Sequence, residues 1–132
     1  MTQDELLKLI DQAAEESWTE LDLAGADLTE LPPEIGKLTQ LETLILAKEV
    51  EGGSFGKYLG NSLTKLPVEI GLLKNLKSLQ ATGNWKYKFR DLHFPNAQPG
   101  NQLTQLPPEI GQLTSLTQLY LSSNQLTQLP PE

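Results

Sequence analysis

Residues 116–132 read LTQLYLSSNQLTQLPPE, and this stretch decides the fold. Four leucines and one asparagine set its pattern, L-x-x-L-x-L-x-x-N-x-L: Leu116, Leu119, Leu121, Asn124 and Leu126. A unit with this pattern cannot bury its own leucines, so it predicts a short strand that becomes stable only when similar units stack on it.

The unit recurs along the chain after residue 17. The units are predicted at 18–40, 41–75, 76–115 and 116–132, and the last one is incomplete. Successive starts are 23, 35 and 40 residues apart, so a period of 23 with insertions of 12 and 17 residues accounts for all of them. The first unit departs from the pattern twice, with Trp18 for the opening leucine and Ala26 for the asparagine.

Each unit carries a proline- and glycine-containing tail. The tails begin at Leu31 (LPPEIGKL), Leu66 (LPVEIGLL), Leu106 (LPPEIGQL) and Leu129 (LPPE). Proline suits a segment that donates no ladder hydrogen bonds, and glycine permits a tight turn. We therefore expect the tails to return the chain along the convex side of an α/β solenoid with parallel strands on its concave face.

These motifs resemble the 23-residue leucine-rich repeats of bacterial proteins of the LPPEIGxL type. They are similar in particular to the N-terminal repeat region of Roco-type multidomain GTPases. The resemblance covers residues 18–132 and implies a leucine-rich-repeat fold. It also implies that any GTP-binding unit lies elsewhere in such a protein, because none of these 132 residues matches one.

The asparagine of each unit has a predicted structural role. Its side chain can bond backbone groups of the adjacent turn that would otherwise be buried and unpaired. Asn61 and Asn124 take this position in the second and fourth units. In the third unit both Asn84 and Asn101 fit the spacing, on either side of the insertion.

Residues 1–17 are predicted to form an N-terminal capping helix. Thr2 and Glu5 have the spacing of a capping box. Five apolar residues fall on one helical face: Leu6, Leu7, Ile10, Ala13 and Ala14. The alternative is a separate helix that binds a partner.

The first insertion lies near residues 48–60 and reads KEVEGGSFGKYLG. Its Gly52-Gly53 pair indicates a hairpin-like loop. Phe55 and Tyr58 are its candidate partner-binding residues. The glycines lack the spacing of a phosphate-binding loop, and Tyr58 stands where Ser or Thr would follow the lysine.

The second insertion lies near residues 84–100 and reads NWKYKFRDLHFPNAQPG. Aromatic and basic residues alternate in it, which predicts a strand with one aromatic and one basic face: Trp85, Lys86, Tyr87, Lys88, Phe89 and Arg90. The aromatic residues either pack onto the solenoid or, with the arginine, form a partner-binding patch. Both insertions enter after a strand and before the asparagine, so we expect them side by side on one rim.

The concave face offers a second candidate surface. The repeat places four variable residues at equivalent positions of successive strands: Asp22, Ile45, Gln80 and Tyr120. The flanking rows are Glu20, Thr43, Ser78 and Gln118 on one side and Ala24, Ala47, Thr82 and Ser122 on the other. The face is either a binding surface or a solvated sheet face.

Composition argues against several function classes. The net charge of −7 disfavours nucleic acid and anionic membranes, and the absence of cysteine excludes thiolate metal sites. The single histidine, His93, lies in the second insertion with nothing to order it against a nucleophile. We therefore expect no enzyme, no cofactor and no metal. The N-terminus lacks the features of a signal peptide, which predicts a cytoplasmic protein.

Three functions remain open. The first is a protein-interaction module that uses the concave face, the insertion rim or both. The second is a regulatory N-terminal segment of a larger Roco-type GTPase. The third is a self-assembling unit, because the chain ends at Pro130-Pro131-Glu132 in mid-unit and leaves a strand edge at its C-terminal side. A longer parent protein is favoured over a dimer through that edge.

Overall fold

The computed structural model describes residues 2–50, 57–83, 101–121 and Asn124. One helix and six strands form its regular structure: α1 Gln3–Glu15, β1 Glu20–Asp22, β2 Thr43–Ile45, β3 Lys48–Val50, β4 Lys57–Leu59, β5 Ser78–Gln80 and β6 Gln118–Tyr120. Three 3-10 helices lie between the strands, at Pro33–Lys37, Val68–Leu72 and Pro108–Gln112.

The main sheet is parallel and has the strand order β1-β2-β5-β6. Its register repeats across the sheet, since Leu21 pairs with Leu44, Leu44 with Leu79, and Leu79 with Leu119. The first three of these leucines are at most 2% exposed. The predicted fold of parallel strands with inward leucines is therefore confirmed.

The tails fold as single turns of 3-10 helix, which the sequence did not predict. Proline opens two of them, where its missing N–H and fixed φ cost nothing. Ile35 and Ile70 of the first two tails are fully buried beneath the turns. The tails thus form the second wall of the solenoid core, opposite the sheet.

Neighbouring tails approach each other most closely at glycine. A Cβ on Gly71 would lie 2.9 Å from both the Cβ and the carbonyl oxygen of Glu109 in the following tail. A Cβ on Gly36 would lie 3.2 Å from the Cβ of Glu69 and 2.9 Å from a methyl carbon of Leu72. These glycines allow one tail backbone to pack directly on the next.

Asparagine side chains join each unit to the unit before it. Asn61 donates to the carbonyl oxygens of Leu23 in the first unit and Leu46 in its own, both at 2.9 Å. Its side-chain oxygen accepts the N–H of Leu28. Asn101 accepts the N–H of Leu63 and Asn124 that of Leu103, each from the preceding unit.

Helix α1 closes the N-terminal end of the solenoid, as predicted. Thr2 and Glu5 form the capping box, and their hydrogen bonds hold the pKa of the Glu5 carboxyl below its usual value. Leu6, Ile10 and Ala13 are at most 1% exposed against the first unit. The predicted capping helix is confirmed, although Leu7 and Ala14 are only half-buried.

The first insertion contains the predicted hairpin. Strands β3 and β4 pair antiparallel, with Glu49 opposite Tyr58. The base of the hairpin rests on the first unit, because the N–H of Gly25 donates to the carbonyl oxygen of Gly60. Gly25 has a φ of +73°, and the side chain of Leu59 lies 3.6 Å from where its Cβ would be.

Candidate functional site

The four variable residues at equivalent strand positions lie in one row on the sheet, which we call the concave row: Asp22, Ile45, Gln80 and Tyr120. The strand register pairs each of them with the next. They alternate with the buried leucines, so their side chains face away from the core. Tyr120 is 46% exposed, Asp22 is exposed, and Ile45 and Gln80 are half-buried.

The concave row combines different side-chain chemistries over a short distance. It runs from a carboxylate through an aliphatic residue and an amide to a phenol. Adjacent strands are about 4.8 Å apart, so the row spans roughly 15 Å across four strands. A surface of this length fits a short extended peptide segment or one face of a helix.

Two residues expected on the concave face are not accessible there. Ala47 is 2% exposed, although its row was predicted to face solvent. It lies directly before β3, where the chain leaves the sheet for the hairpin. Ser78 is 7% exposed, between Thr43 and Gln118 in register, and its hydroxyl accepts a hydrogen bond from Gln80 at 3.5 Å. The accessible face is therefore narrower than predicted.

The N-terminal end of the concave row is tied to the hairpin by an ion pair. The ammonium of Lys48 at the start of β3 lies 2.5 Å from a carboxylate oxygen of Asp22. Partial burial raises the pKa of Asp22, but hydrogen bonds from Lys48 and from the N–H of Ala24 outweigh it. The pKa therefore lies below its ordinary value, and Asp22 is charged near neutral pH.

Charge is concentrated at the same end of the sheet. Glu20 is exposed on β1, and Glu42 before β2 pairs with Lys77 at 3.4 Å. Residues 101–121 contain a single carboxylate side chain, that of Glu109, and no basic residue. The concave face thus has an ionic N-terminal end and a neutral C-terminal end rich in amides and hydroxyls.

The predicted insertion rim falls mostly outside the described residues. Phe55 and the six residues from Trp85 to Arg90 belong to that part, as does Asn84. Of the rim candidates, only the backbone of Tyr58 is described, in β4. The arrangement of the two insertions side by side stays a prediction.

No group of three or more His, Cys, Asp or Glu that could hold a metal ion occurs among the described residues. The described helices are also too short and too polar for one of them to cross a membrane.

Comparison with known proteins agrees with the architecture. A family model described as "Leucine Rich Repeat" matches residues 115–132. A leucine-rich-repeat protein of Leptospira interrogans has a similar solved structure, with 38% sequence identity and a TM-score of 0.55. The chain has a leucine-rich-repeat fold. No curated protein sequence matches it.

The Leptospira match covers 79% of this chain and 19% of that chain, so this chain spans about a fifth of the length of that protein. The two matches support a leucine-rich-repeat protein similar to a bacterial one. Proteins with this fold commonly mediate protein–protein interaction, and neither match names a catalytic family. Neither match concerns a Roco-type GTPase, so that resemblance stays a prediction.

Proposed function

We propose that this chain is a protein-binding module whose concave row, with the adjoining base of the hairpin, contacts the partner. The observation that carries the proposal is the register of Asp22, Ile45, Gln80 and Tyr120. These residues take no part in the core, while the leucines and asparagines around them form it.

Exposure supports the same surface. Tyr120 presents 46% of its surface, and an aromatic ring with a polar end is a common anchor in protein interfaces. Ile45 supplies an apolar contact near the middle of the row, and Gln80 supplies a donor and an acceptor beside it. A partner that fits has an apolar side chain flanked by hydrogen-bonding groups.

The proposal is tested by replacing Gln80 with a photo-crosslinking amino acid, which captures a protein that contacts the concave row. The captured protein is identified. Its affinity is then measured for the native chain and for the variants Ile45→Ala and Gln80→Ala. Fewer than about 30% of interface residues cost more than about 1 kcal/mol on truncation to alanine, and these cluster near the centre of an interface. Because Ile45 and Gln80 are the two central residues of the concave row, we expect each truncation to weaken binding about fivefold or more.

Val68→Ala is the matched control, because Val68 is an aliphatic residue 52% exposed on the convex side. It should leave the affinity unchanged. The same crosslinking amino acid is also placed at position 68. If the partner is captured from position 68 and not from position 80, and if all variants bind it with equal affinity, the concave row is not the binding surface.

The insertion rim is a second candidate surface for the same function. The ion pair between Lys48 and Asp22 places the base of the first insertion against the concave row, so one partner can contact both. Substitution of Trp85, Tyr87 or Arg90 by alanine then weakens binding if the rim takes part. A regulatory role in a larger Roco-type protein would use these surfaces in the same way.

A further inference from the structure

Two aliphatic side chains are exposed on the convex side of the second repeat. Val68 and Leu72 are the first and last residues of its 3-10 turn, and they are 52% and 50% exposed. The tails on both sides of this turn are described, at Pro33–Lys37 and Pro108–Gln112. The exposure therefore belongs to the stacked middle of the solenoid and not to one of its ends.

The fold does not require aliphatic residues at these two positions. The other tails form turns of the same length with proline at the first position and a polar residue at the second: Pro33 and Lys37 in the first tail, Pro108 and Gln112 in the third. Gln112 lies over Gly71 as Leu72 lies over Gly36, so a polar side chain covers the glycine equally well. An apolar surface that the scaffold does not need is typical of an interaction site.

Lysine flanks the second tail on both sides. Lys65 and Lys74 are exposed, and neither takes part in an ion pair among the described residues. The ammonium of Lys74 donates to the carbonyl oxygen of Gln112 at 3.2 Å, which holds it one tail away from Leu72. The other tails have no lysine at these flanking positions, which hold Glu30 and Thr39 in the first repeat and Gln105 and Thr114 in the third.

The acidic residue of the same tail does not cancel this charge at the surface. Glu69 is shared with the other two tails, as Glu34 and Glu109, and all three are half-buried. Its Cβ packs against Gly36 of the preceding tail. The fully exposed charges next to Val68 and Leu72 are therefore the two ammonium groups.

We propose that Lys65, Val68, Leu72 and Lys74 form a convex patch that binds an acidic amphipathic segment of a partner protein. Apolar side chains of that segment cover Val68 and Leu72, and its carboxylates pair with the two lysines. Two copies of this chain that met through the patch would bring their lysines together, which disfavours a dimer there. The patch lies on the wall opposite the sheet, so the proposal does not rest on binding at the concave row.

Selection from a random peptide library displayed on phage tests the proposal. The purified chain is the target, and an excess of the soluble variant Val68→Pro with Leu72→Gln removes peptides that bind outside the patch. This variant copies the residues of the third tail at both positions, so it keeps the fold, which circular dichroism checks. The enriched peptides are expected to carry a net negative charge and two or more apolar residues.

Charge reversal is the second arm of the test. Lys65→Glu with Lys74→Glu should weaken binding of an enriched peptide about fivefold or more, because two attractive pairs become repulsive. Lys8→Glu with Lys77→Glu is the matched control, since it changes the net charge equally at exposed positions outside the patch. It should leave the affinity nearly unchanged.

Four outcomes would overturn the proposal. They are a selection that enriches no peptide, enrichment of neutral or basic peptides, equal affinity of the acidic peptides for the two charge-reversed variants, and a dimer in sedimentation analysis that Val68→Pro with Leu72→Gln abolishes. The last outcome would make a second copy the occupant of the patch. None of the four concerns the partner captured from position 80, so the concave row is tested separately.

Discussion

The side-chain oxygen of Asn61 accepts the backbone N–H of Leu28 at 2.8 Å, although 33 residues separate the two in sequence. The amide group of Asn61 also donates to Leu23 and Leu46, and the residue is 3% exposed. One side chain therefore satisfies three buried backbone groups and joins the first two repeats where the first insertion interrupts them.

Replacing Asn61 by alanine is expected to lower the free energy of unfolding by about 2 kcal/mol or more. The buried N–H of Leu28 is left without its partner, which costs about 1–3 kcal/mol, while the carbonyl oxygens of Leu23 and Leu46 each lose one hydrogen bond and keep another. Urea denaturation measures the loss. Asn75→Ala is the control: Asn75 is exposed and donates to the carbonyl oxygen of Thr39, so its loss costs about 1 kcal/mol or less. Equal losses in the two variants would contradict this role for Asn61.

The repeat pattern predicted the place of Asn124 directly from its spacing to the strand leucines, and the place of Asn61 once the first insertion is skipped. It left Asn84 and Asn101 open, since both flank the second insertion. Asn101 links to the preceding repeat through its hydrogen bonds to Leu63 and Leu46, and Asn84 lies outside the described residues. The structure also accounts for Ala26 in the first unit. Helix α1 packs on that unit in the place where a preceding repeat would lie, so the link that asparagine makes to such a repeat is not needed there.

Gly71→Ala is expected to destabilise the solenoid by about 1–3 kcal/mol, as other overpacked sites do. The new methyl group would lie 2.9 Å from the carbonyl oxygen of Glu109, and that backbone atom cannot move without shifting the next tail. Thermal unfolding measures the effect. The equivalent glycine of the third tail, Gly111, is exposed, so Gly111→Ala is the control and should change stability by less than about 0.5 kcal/mol.

Two departures from the sequence predictions, the burial of Ala47 and of Ser78, share one cause. Leucine spacing specifies which side chains enter the core, but it carries no information about what covers the remaining positions. Ala47 fits the solvent-facing row by period alone, yet it lies where the chain enters the hairpin and is buried. Likewise, the pattern places Ser78 on the face without showing that it is buried there. The 3-10 turns were missed because the prolines of the tails indicate a turn without specifying its type.

The ion pair between Asp22 and Lys48 is expected to make stability depend on pH. Because the pKa of Asp22 is depressed in the folded chain, the contribution is fully present above its ordinary value of 3.8 and is lost as pH falls through the folded pKa. About a third of each side chain is exposed, so solvent screening keeps the contribution to about 0.2–1 kcal/mol.

Lys48→Met tests this pH dependence. The variant is expected to be less stable than the native chain near neutral pH and to match it more closely in acid. An NMR titration should show the Asp22 carboxyl moving back toward its ordinary pKa. Lys37→Met removes a more exposed pair with Asp11 and should leave the titration of Asp22 unchanged. An Asp22 pKa that is unchanged in Lys48→Met would contradict the role of the ion pair in lowering it.

Deleting residues 84–100 is expected to preserve the fold, because removing 17 of the 40 residues between Leu76 and Leu116 restores the 23-residue period. The deletion joins Gly83 to Asn101, and both residues are buried in the structure. Shortening a loop changes its closure entropy little. Urea denaturation should therefore find a stability within about 1 kcal/mol of the native value.

Deleting residues 48–59 restores the same period but removes the Lys48 ion pair and the packing of Leu59 over Gly25, so this second deletion should be less stable.

The 84–100 deletion, compared with Gln80→Ala, also distinguishes the two candidate binding surfaces. If the concave row carries binding, the 84–100 deletion keeps its affinity for the captured partner while Gln80→Ala loses it. If the second insertion carries binding, the 84–100 deletion abolishes binding and Gln80→Ala leaves the affinity intact.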